Sequence, residues 1–470
     1  MSKKLIISLL TLLCLAPHLG CEAMLCAQSA AEQRFRYYYH ITFYYVYAGT
    51  VNAADHPTPE GILRLNNSRL TTLLPAADLD QMGDTLRLEV TITALCDNYD
   101  RIGSVDLVLM SKDSVDYNDG RHGSYSGRLG NTAPDIQRIE VARFITPFMD
   151  KNKGVDVPYS WDISFLSPLL HDRALRDTMN LWLEFHLEGV PYAANTQISG
   201  CSGRNDVFAG TLDVVSTGCY SPTDGGQLTL PLVYERYINL RNTDEAGTTV
   251  AHYQVHLDEP MDDALFLMIN SNHGSNSGGE EYNRRLHYVW VNEWMAEVFR
   301  PGRSSCEPFR QYNTQSNGIY GGSAKSDDSW QSFSNWCPGD VIDNHLIRLG
   351  SIPAGDYDFR LLVPDAVFAD GQGYFPFSLT FFGRRGSSFV GIEPIAVQTD
   401  SQVRWQGNTL QVDSNRPIRH WTLLNAAGQR LIVQPGSVSE INMSHYPSGV
   451  YILLLLMDDE STEVHKFFRP

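Results

Sequence analysis

At 470 residues, with 43% hydrophobic and 11% aromatic residues, the chain has material for two to four domains with real cores, which excludes a largely disordered protein. A net charge of −18 without any basic stripe excludes nucleic acid as an expected partner, and the acidity reads as solubility.

The N-terminus reads as a secretory leader over residues 1–27. Lys3 and Lys4 supply its charge, Leu5 to Ala16 its apolar run, and a cut is expected after Ala23 or Ala27. Cys21 offers a lipoprotein alternative, opposed by His18 where a lipobox wants a branched aliphatic residue. The longest later apolar run, Ile452 to Met457, is too short to span a membrane. The expectation is a secreted or surface-attached monomer. Five cysteines follow the leader, Cys96, Cys201, Cys219, Cys306 and Cys337; in an exported chain disulfides are the default, and an odd number leaves one thiol over. Cys201 and Cys219 flank the strand Val207 to Val215 and are candidates to pair with each other, which would leave Cys96 single.

Along the chain, period-two alternation dominates and amphipathic helices are scarce. Leu86, Leu88, Val90 and Ile92 face one way while Arg87, Glu89, Thr91 and Thr93 face the other, a half-buried strand that ends in Cys96-Asp97-Asn98-Tyr99-Asp100-Arg101. Asn180 to Leu187, Leu265 to Ile269, His287 to Val291 and Phe375 to Phe381 follow the same logic. The predicted fold is all-β. Two antiparallel jelly-roll β-sandwiches, residues 38–230 and 231–388, pack side by side, and a small immunoglobulin-like sandwich follows over 395–470.

Three carboxylates stand out. Asp100 sits at a strand end beside Arg101, where a rigid scaffold presents a polar group; an isolated Asp there is ordinarily a turn residue or a surface ion pair. Glu184 lies in a strand whose one face carries Leu181, Leu183, Phe185 and Leu187, and whose other carries Trp182, Glu184, His186 and Glu188. Rings and carboxylates on one face suit a sugar; a solvated sheet face is the plain alternative. Glu280 and Glu281 occupy a Gly-rich loop after Asn272-His273-Gly274. His252 and His256 share a strand face, but without a His-x-His motif a metal is not expected.

The segment ending at Asp100-Arg101, together with Arg143-Phe144-Ile145-Thr146-Pro147-Phe148 and Trp336-Cys337-Pro338-Gly339, resembles the peptide-N-glycosidase F family, over roughly residues 40–385. The resemblance implies hydrolysis of the amide between asparagine and the first sugar of an N-linked glycan, on a glycoprotein or glycopeptide, with no metal or organic cofactor. It implies Asp100 as the principal catalytic residue, Glu184 and Glu281 as its partners, a disulfide between Cys306 and Cys337, and substrate contacts from Tyr99, Arg101, His273, Tyr282 and Trp336. Several family features are absent. The cysteine just before Cys96 is missing, Gly279 and Asn283 replace a cysteine pair, Phe333 stands where an arginine is usual, Asn98-Tyr99 replaces Glu-Trp, and His186 replaces a Trp. A non-catalytic glycan-binding or adhesion protein on the same scaffold is the rival reading.

The tail carries Leu423 to Gln429, then Tyr446-Pro447-Ser448-Gly449-Val450-Tyr451, and closes on Val464-His465-Lys466-Phe467. It resembles the C-terminal sorting domain of type IX secretion, which implies that machinery as a partner and export across the outer membrane of a Gram-negative bacterium.

Overall fold

The computed structural model describes residues 32–113, 136–221, 226–239, 249–275, 279–315, 326, 333–368, 373–385, 401–406, 408–425, 430–447, 449–458 and 462–469. The predicted leader falls outside them. Among the described residues, no helix is long and apolar enough to cross a membrane.

Nine strands build the first unit: β1 (Gln33–Tyr44), β2 (Ile62–Asn66), β3 (Arg69–Leu73), β4 (Thr85–Ala94), β5 (Ile102–Ser111), β6 (Ile136–Ile145), β7 (Asp156–Asp162), β8 (Met179–Leu187) and β9 (Asp206–Thr217). The second has β10 (Gln227–Ile238), β11 (Thr249–Leu257), β12 (Met261–Asn270), β13 (His287–Val291), β14 (Trp294–Phe299), β15 (Val341–Ile342), β16 (His345–Ile352), β17 (Gly355–Leu362) and β18 (Phe375–Arg385). The tail has β19 (Ser401–Gln406), β20 (Thr409–Ser414), β21 (Ile418–Asn425), β22 (Arg430–Pro435), β23 (Glu440–Asn442), β24 (Gly449–Met457) and β25 (Thr462–Arg469).

The chain is all-β, folded as sandwiches of antiparallel sheets. In the first, β1-β9-β4-β7 faces β15-β6-β5-β8-β3-β2; in the second, β10-β18-β12-β16 faces β11-β17-β13-β14. The tail pairs β19-β20-β23 with β22-β21-β24-β25. Alternation does what the sequence led one to expect in β4: Leu86, Leu88, Val90 and Ile92 are buried, while Arg87 and Glu89 face outward. In β5, β6 and β8 both faces are buried, because the second sandwich covers what would otherwise be the outer face of their sheet. The core of the first sandwich runs on into Leu265, Leu267, Ile269 and Phe382 of the second. β15 crosses the boundary to pair with β6.

The junction is also ionic. Arg69 reaches Asp106 and Glu184 at 2.7 Å each, Arg138 reaches Glu184 at 2.7 Å, and the Tyr234 hydroxyl of β10 donates to Asp106 at 2.7 Å. A second cluster joins Arg143 to Glu140, Ser271 and the Pro376 carbonyl. The tail docks on the far side. Leu424, Ile452 and Leu454 pack on Tyr288, Trp290, Met295 and Leu362, and Arg430 donates to the Tyr288 hydroxyl at 2.8 Å.

The cysteine pairing differs from the expected one. Cys96 bonds to Cys201, not Cys219, and Cys306 bonds to Cys337 as the resemblance implied. Cys219 is itself disulfide-bonded, so none of these five is a free thiol. Sequence distance misled here. Cys201 follows the short helix Tyr192–Gln197, which folds back under the end of β4, with Cys96, Ala194, Ile198 and Cys201 buried together.

Candidate active site

β4 ends at Ala94, and the chain then crosses to β5 through the stretch that holds Asp100. This crossing is fastened on both sides of Asp100. Cys96 is tied to Cys201. The fully buried Asp97 carboxylate accepts from the backbone N–H of Tyr99 (3.0 Å) and of Val190 (2.7 Å), and from Arg101 Nε at 2.6 Å. The Asn98 side chain donates to Gln197 and Gln315. Thr146 clasps the backbone on both sides of Asp100. Its hydroxyl accepts from Arg101 N–H at 2.7 Å and donates to the Tyr99 carbonyl at 3.2 Å, while its own N–H donates to the Arg101 carbonyl at 2.8 Å. The Ile-Thr-Pro segment therefore matters because it fixes the backbone that presents Asp100. Gly103, the second residue of β5, sits where a Cβ would lie 2.1 Å from the Phe144 ring, so only glycine lets these strands close at this end.

Facing Asp100 is the loop of the second sandwich that follows β12. Gly274 has φ 111°, a conformation open to glycine, and the chain reverses so that its N–H donates to Glu281 Oε2 at 3.3 Å. The Glu281 carbonyl accepts from Ser334 Oγ at 2.7 Å and from the Asn335 N–H at 3.1 Å, and the Tyr282 hydroxyl donates to the Glu281 carboxylate. The two adjacent glutamates part company. Glu280 is fully buried, paired with Arg285 and accepting the Val367 and Phe368 N–H groups at 2.7 and 2.9 Å, which anchors the loop. Glu281 is left half-exposed toward Asp100.

The Glu281 charge reaches Asp100 across the junction. Burial pushes the Asp100 carboxyl up to about 7, and the Glu281 charge adds to the rise, partly opposed by Arg101. Glu281 is also raised, again mainly by burial, with the Tyr282 hydroxyl and the Gly274 N–H pulling the other way. The arrangement keeps Asp100 a proton donor up to about neutral pH, with a second raised carboxyl, Glu281, near enough to act on it.

The other expected site residues divide. Arg101 lies beside Asp100, but its guanidinium is committed to Asp97 and the Val190 carbonyl. Tyr99 is half-buried between Phe148 and the Arg101 guanidinium. Tyr282 stands at the rim, 44% exposed, its ring edge-on to Phe333, the residue that replaces the usual arginine. His273 and Trp336 are each only 4% exposed, their rings tilted against each other beneath the loop. The His273 ring bonds Ser271 at 2.8 Å, and burial with the nearby Arg143 drives its pKa down to about 3. It is a neutral packing residue.

Glu184 does not join the pair. It sits opposite Asp106 in mid-sheet, fully buried between Arg69 and Arg138, six residues along the strand from Asp100 or roughly 20 Å at about 3.3 Å per residue. Its strand face is neither a sugar platform nor solvated; the second sandwich covers it. The carboxylate of that face nearest the Asp100 end is Glu188, half-buried, whose N–H bonds the Ile102 carbonyl at 3.4 Å. The alternation that singled out Glu184 marks Glu188 equally; only strand register tells which of them reaches the strand end. Tyr192 was also missed. It is 70% exposed on the short helix that Cys201 and Gln197 tie to the Asp100 crossing. Among the described residues no group of His, Cys, Asp and Glu is placed to hold a metal.

Fold and geometry together define a two-sandwich β protein with paired carboxylates at the domain junction. Residues 39–202 match the N-terminal domain of peptide-N-glycosidase F, and residues 240–381 match its C-terminal domain. The chain belongs to the peptide-N-glycosidase F family. Among solved structures, it is similar to PNGF-II at 19% identity and a TM-score of 0.56, with 77% of this chain and 66% of that one covered. It thus spans just under two thirds of PNGF-II. It also matches PNGase F, a glycosylasparaginase from Flavobacterium meningosepticum, at 14% identity and a TM-score of 0.47, covering 76% of this chain and 96% of that one. No curated protein matches the chain.

Proposed function

We propose that the protein is an exported amidase that hydrolyses the bond between asparagine and the first N-acetylglucosamine of N-linked glycans. The observation that carries this reading is the pairing of Asp100, held protonated up to about pH 7, with Glu281 on the opposing sandwich. In the proposed reaction Glu281 accepts a proton from water as the water oxygen bonds to the side-chain amide carbon. Asp100 gives its proton to the glycosylamine nitrogen as the C–N bond breaks. The products are an aspartate in the peptide and a free glycosylamine, and the proton passes from Glu281 back to Asp100. The exposed rings of Tyr282 and Tyr192 are assigned to stack on sugar faces, a role their exposure supports. Glu188, whose backbone bonds Ile102 at the Asp100 end of β5, takes the supporting place first expected of Glu184.

Family membership supports the N-glycan as substrate, and the disulfides suit an extracellular protein. The tail is proposed as a sorting domain for type IX export. The test is incubation of the mature chain with a denatured N-glycoprotein, followed by mass spectrometry for Asn becoming Asp. Conversion that disappears in Asp100→Asn supports the reading. An Asp100→Asn protein with full activity refutes it, and glycan binding without any conversion puts a lectin-like protein in its place.

A further inference from the structure

The second sandwich is open along one side. β14 and β16 are the edge strands of its two sheets, and between them runs a groove of about 520 Å³, lined by Trp294, Glu297, Asp343, Asn344, His345 and Arg348. It continues inward as a cleft of about 220 Å³ that shares Glu297, Asp343 and His345 and ends at Asn270, Asn335 and Trp336. Together they reach the size of ordinary small-ligand sites.

Two features of the lining point to a ligand. Trp294 presents its ring 46% exposed on the groove wall, where a soluble protein ordinarily keeps such a ring covered. Beside it the Glu297 and Asp343 carboxylates keep part of their surface open on the same groove, as acceptors for a donor-rich occupant. An exposed indole with flanking carboxylates matches a chain of hydroxyls on flat pyranose rings better than an apolar peptide.

We propose that this groove is a second oligosaccharide site, with Trp294 stacking on one sugar and the Glu297 and Asp343 carboxylates accepting hydroxyl hydrogens from the next. Its inner end touches Asn335, which also holds the backbone of Glu281 at 3.1 Å, so an occupied groove lies directly behind the loop that presents Glu281. The choice of an N-glycan as the sugar rests on the function proposed above; the groove chemistry does not.

The experiment uses the full chain carrying Asp100→Asn, titrated calorimetrically with a free N-glycan oligosaccharide that lacks its asparagine. Saturable binding is expected, weakened about tenfold or more by adding Trp294→Ala and largely kept by Trp294→Phe. Unchanged affinity in Trp294→Ala overturns the proposal. So does the absence of any sugar binding, which leaves the groove to water, and so does an extended peptide that occupies it in place of the oligosaccharide. With Asp100 intact, Trp294→Ala is expected to cleave a glycopeptide bearing two sugars as well as the parent does. If no glycopeptide is cleaved by the parent while Trp294-dependent sugar binding persists, the amidase reading fails and the groove assignment stands.

Discussion

Replacing Asp100 with Asn is expected to abolish turnover and, above neutral pH, to make the protein more stable. The carboxyl is raised from 3.8 in an ordinary environment to about 7 in the folded chain. The folded state therefore binds more protons than the unfolded state across that interval, and stability falls as pH rises through it. Above about pH 7 the full penalty of holding a charged Asp100 between burial and Glu281 is in force. Three units at about 1.4 kcal/mol each give an upper figure of roughly 4 kcal/mol, and access of water to this half-buried group reduces the expected value to about 2 kcal/mol. Asn carries no charge and escapes the penalty. The assay is urea denaturation of both proteins from about pH 4 to pH 8. Their stabilities should nearly coincide at the acid end, diverge in favour of Asp100→Asn through the window, and run parallel above about pH 7. A difference that does not change with pH, or a variant less stable at pH 8, refutes the reasoning, because it would mean that the Asp100 charge is well solvated where it sits.

Glu281→Gln removes the charge that adds to the rise at Asp100 but leaves the burial that dominates it. The Asp100 titration, followed by carboxyl NMR, should move down yet stay above the ordinary Asp range, with hydrolysis lost at every pH. Arg138→Ala leaves Glu184 buried without one of the guanidinium groups that pair with it among the described residues, and should cost about 3–5 kcal/mol in denaturant unfolding. A cost near zero would place Glu184 in a wet, adaptable site rather than in the sealed junction.

The sequence by itself determined the strands, the sandwich class and the position of Asp100. A two-residue period of apolar side chains is a local property, and it survives in β4 residue by residue. It also favoured Glu281 over Glu280 by resemblance, and the structure gives the physical difference: one carboxylate is locked to Arg285 and two backbone N–H groups, the other faces Asp100. What the sequence could not decide was anything set by pairing between distant segments. Alternation put Glu184 and Glu188 on one face but carried no register, and the register Asp106 to Glu184 fixes which of them lies deep in the sheet. Whether that face met sugar, water or protein depended on where the second sandwich packed, and it packs on it through Tyr234 and Arg69. The Cys96–Cys201 bond follows from a helix folding back beneath β4, which no spacing between cysteines encodes. The perturbed Asp100 likewise exists only once two sandwiches, remote in sequence, exclude water from one carboxyl and bring a second beside it.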